Sequence, residues 1–138
     1  MKKIIILAIA IIIIVPLGLT LYNTAWSVNY MEHHQMYGDY LNTQKAVGEV
    51  LVNVNTPEDA DKAAAQLAPL AVMIAEMEAK QKQMTPLNDF QNTLIGKIYG
   101  EESQEHQDTI SKEKARIQKS GNLTPELDKM LKPFSPIN

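Results

Sequence analysis

The 138 residues hold 13 Lys and Arg against 16 Asp and Glu, and no cysteine. That balance argues against nucleic acid as a partner, and the missing thiols exclude disulfides, thiolate metal sites and lipoprotein anchoring. Ala, Leu, Met, Gln, Glu and Lys abound, and no segment alternates apolar and polar residues over a strand's length, so the expected fold class is all-α.

Met1-Lys2-Lys3 precedes an apolar run, Ile4 to Leu21, that carries no charge. Such a run approaches the roughly 20 residues a helix needs to cross a ~30 Å hydrocarbon core. Lysines ahead of it stay in the cytoplasm. The reading is a single-pass anchor in the cytoplasmic (inner) membrane, with residues 4–21 in the lipid bilayer and the C-terminal domain periplasmic or extracellular. A secretory signal is the alternative: Pro16 and Gly18 could end the apolar run at Val15, and Ala25-Trp26-Ser27 offers small residues for cleavage after Ser27. Tyr22, Trp26 and Tyr30, placed like an interfacial aromatic belt, favour retention. The chain thus divides into 1–27, anchor or signal segment, and 28–138, extracytoplasmic helical domain. Without Lys2 and Lys3 the second part has 11 basic against 16 acidic residues, a net of −5.

Met31-Glu32-His33-His34-Gln35-Met36 is the one cluster with ligand chemistry. Imidazole with thioether suits copper, and imidazole with carboxylate suits zinc, so His33, His34 and Met36 are the candidate metal residues. Adjacent histidines diverge by about 100° on a helix, so such a site needs ligands from elsewhere, such as His106. The competing role is an interfacial helix start. Tyr30, His33, Tyr37, Tyr40, Gln44, Val47, Leu51 and Val54 form a three-four stripe, predicting a helix to about Val54 that Gly38-Asp39 could break.

Thr-Pro occurs three times, at Thr56-Pro57, Thr85-Pro86 and Thr124-Pro125, each time with acidic or amide residues following. A threonine cap, a proline in the first turn and acidic side chains at the positive dipole end all mark helix starts. The helix from Pro57 carries a heptad-like stripe of Ala60, Ala63, Leu67, Leu70, Ile74, Met77, Gln81 and Met84, with a kink expected before Pro69. The short Val54-Asn55-Thr56 turn makes it the antiparallel neighbour of the preceding helix. A third helix is expected from Pro86 with Leu87, Phe90, Leu94 and Ile98 inward, its Glu101–Lys119 part mostly in water. A last helix, Pro125 to about Lys132, would dock through Leu123, Leu127, Met130, Leu131 and Phe134. The architecture is therefore a helical hairpin or three-helix bundle with a short docking helix.

Leu51-Val52-Asn53-Val54-Asn55-Thr56-Pro57-Glu58-Asp59-Ala60, leading into Lys62-Ala63-Ala64-Ala65-Gln66-Leu67, and the closing Gly121-Asn122-Leu123-Thr124-Pro125-Glu126-Leu127 resemble small exported bacterial helical proteins, often membrane-attached. The resemblance covers roughly Leu41 to Leu131. It implies an exported helical fold and no activity. Many of those proteins look like lipoproteins, a form closed to a chain without cysteine.

Glu101, Glu102, Glu105, His106 and Asp108 place carboxylates beside an imidazole, but without the apolar neighbours that shift pKa values or the spacings of di-iron and zinc-peptidase motifs. No nucleophile elbow or glycine-rich phosphate loop exists. The expected function is a non-enzymatic helical interaction or scaffold protein, meeting a protein partner or a second copy through Tyr37, Tyr40, Leu67, Leu70, Ile74 and Met77, residues whose competing role is the domain's own core. The alternatives are a periplasmic copper or zinc module using Met31–Met36, and an accessory subunit of a membrane complex. No other cofactor is expected.

Overall fold

The computed structural model describes residues 28–134. Those residues are all-helical: α1 (Val28–Val52), α2 (Pro57–Gln83), α3 (Asp89–Lys119) and α4 (Pro125–Leu131), with a closing 3-10 turn over Lys132–Phe134. The anchor expected at residues 4–21 and the boundary after residue 27 lie outside the described residues. Among the described residues no helix is long and apolar enough to cross a membrane.

Local chemistry sets the ends. Thr56 caps α2: its hydroxyl accepts from the Asp59 amide at 3.1 Å, and the Asp59 carboxylate accepts from the Thr56 amide at 3.0 Å. This reciprocal pair, with Pro57 in the first turn, satisfies donors that a helix start otherwise leaves unpaired. Thr124 caps α4 in the expected way. Thr85-Pro86 does not start α3. Asn88 does so, exchanging bonds with Gln91 at 2.9 and 3.2 Å. Gln91 and Ile95 face inward, while Phe90 and Ile98 stay 48% and 49% exposed. Gly38-Asp39 does not break α1, and α2 runs on through Pro69.

α1 packs against both α2 and α3, which barely touch each other, and α4 packs on α2. α3 runs alongside α1 in the same direction: Tyr99 meets His34, Ser103 meets Gln44, and Asn122 donates to the Asn55 carbonyl at 2.7 Å. Gly48 lies at this contact, where an added Cβ would sit 3.4 Å from Thr109 Cγ2. The core gathers at the far end of α1: Val47, Leu51 and Val54 meet Ala60, Ala63 and Leu67 of α2, Ile110 and Ile117 of α3, and Leu127, Leu131 and Phe134. Burying each large side chain there contributes about 1.5–3 kcal/mol. The Glu101–Lys119 stretch is mostly solvated, as expected, and buries only Ile110 and Ile117. Arg116, within it, donates to the Leu51 and Val52 carbonyls at 3.1 and 3.4 Å, closing the end of α1, while its Nε holds Glu113 at 2.6 Å. Gly121, at φ +76°, adopts the left-handed conformation that ends α3.

Candidate functional site

At the far end, α4 and the turn after it close the space between α2 and α3. Lys114 of α3 reaches Asp128 of α4 at 2.8 Å, and Leu127 and Leu131 are sealed in. Towards the start of α1 no described residue fills the corresponding space, and two grooves open there. One, about 240 Å³, lies between α1 and α2 and is lined by Met36, Tyr37, Tyr40, Met77, Glu78 and Gln81. The other, about 220 Å³, lies between α1 and α3, where Tyr37 and Tyr40 recur opposite Ile95, Gly96, Tyr99 and Gly100. The two tyrosines form the ridge between them.

The aromatic rings are held firmly. Tyr37 stacks on Tyr99 with centroids 6.1 Å apart and planes 17° apart. The Tyr99 hydroxyl donates to the His34 carbonyl at 3.0 Å and, with the His34 proton on Nδ1, accepts from that nitrogen at 2.8 Å. Burial raises the Tyr99 hydroxyl above the usual tyrosine range, with Tyr30 and Glu102 adding to the effect. Burial also raises Tyr40, partly offset by a bond from Gln44 and reinforced by the charge of Glu78. Both hydroxyls are therefore neutral hydrogen-bonding groups across the physiological range. Gln44, 1% exposed, accepts from Ser103 through Oε1 at 3.3 Å.

No protein-family model, curated protein or solved structure matches this chain.

The three candidate metal residues point to different neighbours. His33 donates from Nε2 to the Thr85 carbonyl at 3.0 Å, His34 faces Tyr99, and Met36 lines the α1–α2 groove. His106 lies beside Glu102 farther along α3, its Nε2 3.5 Å from that carboxylate, which is too long for a good hydrogen bond. Among the described residues no group of three His, Asp or Glu side chains is placed to hold a metal ion. Of the residues expected to face a partner, Leu67 and Ile74 take the competing role, sealed in the chain's own core, and Leu70, Tyr40 and Met77 pack against it. Tyr37, Tyr40 and Met77 do come together, in the grooves.

Tyr99, Gly96 and Gly100 are groove residues that sequence reasoning missed. The signal was the Gly-x-x-x-Gly spacing of Gly96 and Gly100, two small residues one helical turn apart that let another backbone approach. Neither has a heavy atom within 4 Å of where a Cβ would sit. Each costs a helix interior about 1 kcal/mol relative to alanine, and nothing in the described fold uses the space.

Proposed function

We propose that the chain is a non-enzymatic, membrane-anchored interaction protein. In this reading Ile4–Leu21 holds it in the cytoplasmic membrane, and the helical bundle on the outer side receives a partner helix along the ridge of Tyr37 and Tyr40. The observation that carries it is the open, tyrosine-lined half of a bundle whose other half is closed by a docked helix of its own, α4. A groove of this kind takes an amphipathic helix by its apolar face. Rigid aromatic rings supply contact area at low entropic cost, and the glycine pair on the α3 wall leaves room for a close backbone approach. The resemblance to small exported helical proteins, often membrane-attached, supports the location and the fold class.

Photo-crosslinking in intact membranes tests the reading. A photoreactive phenylalanine derivative at Tyr37 should give a defined adduct, either a second copy or one membrane protein, whereas the same group at exposed Val52 should not. Gly96→Leu with Gly100→Leu, which fills the groove, should abolish that adduct. Strictly monomeric protein with no adduct from Tyr37 refutes the proposal.

A further inference from the structure

We propose that the turn between α2 and α3 is a second membrane contact, in which Leu87 and Phe90, together with Val28 and Met31 at the start of α1, enter the lipid interface beside the anchor. This rests on the anchor reading given above and adds a surface that fixes how the bundle stands on the bilayer. The groups gather at one end of the molecule. The 3.0 Å bond from His33 to the Thr85 carbonyl ties the turn to the beginning of α1. Around that bond, Val28 is 78% exposed, Met31 46% and Phe90 48%, with Leu87 half-buried and Pro86 exposed.

The position of the apolar run selects lipid as the occupant. Seven residue steps separate Leu21, its last residue, from Val28, a reach of at most about 25 Å. The polar zone on each side of the hydrocarbon is itself roughly 5–8 Å thick. A chain tethered that closely, with exposed Val28, Met31 and Phe90 on the tethered end, brings them to the bilayer surface at high effective concentration. The charges nearby are mixed, with Glu32 and Asp89 against Lys80 and Lys82, so neutral phospholipid suffices and salt has little effect. A second copy is the weaker occupant. Phe90, Leu94 and Ile98 span only about 12 Å of helix. They offer on the order of 250 Å², far below the roughly 800 Å² per partner of a standard interface.

Phosphatidylcholine vesicles with brominated acyl chains read the contact by quenching tryptophan. Trp26 is the sole native tryptophan, so the unaltered full chain reports the anchor: quenching and retention after alkaline wash support it. In a Trp26→Phe background, Phe90→Trp should be quenched at least twofold and Ile98→Trp less, since it lies two turns farther along α3. Val52→Trp, at a site 54% exposed on the opposite end of α1, should be unquenched. Anchored protein in which Phe90→Trp is quenched no more than Val52→Trp overturns the inference and leaves the anchor standing. Shielding of Phe90→Trp from aqueous iodide without lipid quenching overturns it in favour of a protein occupant. A native chain neither retained nor quenched removes the anchor reading and this inference with it.

Discussion

Replacing Gly96 and Gly100 together by alanine should stabilise the bundle while weakening partner capture. Each glycine sits inside α3, and a Cβ at either position meets no heavy atom within 4 Å, so the methyl groups cost nothing sterically. The helix-propensity gain is about 0.8–1 kcal/mol per site, roughly 1.5–2 kcal/mol for the pair. In a domain of this size each kcal/mol moves Tm by about 4–8 °C, so the double variant should melt about 6–16 °C higher by far-UV circular dichroism in mild detergent. Two other glycines serve as internal controls. Gly48→Ala places its methyl 3.4 Å from Thr109 Cγ2, so the same propensity gain is offset by crowding between α1 and α3, and its shift should be under half that of either groove site. Gly121→Ala, at φ +76°, should destabilise by about 1 kcal/mol. A Gly96→Ala Gly100→Ala protein less stable than wild type would refute the reasoning, because the space beside α3 must then be filled by the chain itself.

Three further outcomes follow from the packing and the caps. Leu131→Ala removes a sealed core side chain and should cost about 2–5 kcal/mol in urea unfolding, loosening α4 before the rest as read by hydrogen exchange. Asn88→Ala should cost about 1 kcal/mol and Thr85→Ala almost nothing; equal losses would return the start of α3 to Thr85. Bonds from Thr56 and the Asn55 amide hold the Asp59 carboxyl below the usual range, and Lys114 does the same for Asp128. Lowered folded-state values stabilise above the ordinary carboxylate value of about 3.9, and that gain is lost as pH falls through them. The urea midpoints of Asp59→Asn and Asp128→Asn should therefore lie below wild type at pH 7 and approach it near pH 2. A constant gap across that range would contradict the assignment.

The helices of this fold were legible where their causes are local. The stripe from Tyr30 to Val54 and the one from Ala60 to Met77 are read directly from spacing, and the Thr56 and Thr124 caps from their own side chains. The start of α3 was misread because Asn88 and Gln91 form a reciprocal pair that competes with Thr85-Pro86, and composition does not rank the two. Gln91 is itself buried, so the inward face carries a polar residue that hydrophobic periodicity passes over. Gly38 suits a helix end by local chemistry, yet α1 runs through it unbroken, held along α3 by contacts that no local pattern encodes. The groove was half legible for the same reason: Tyr37, Tyr40 and Met77 lie on visible stripes, while Tyr99 and the glycine pair depend on how α3 is rotated.

Arg116 also has a bearing on the order of assembly. The last carbonyls of α1 are gripped by a side chain that leaves the ribosome 65 residues after Leu51. A nascent α1–α2 hairpin thus emerges with a frayed corner that only the arrival of α3 can lock. Until then the groove between α1 and α3 lacks one wall, so that side of Tyr37 is completed only late in the chain's own synthesis.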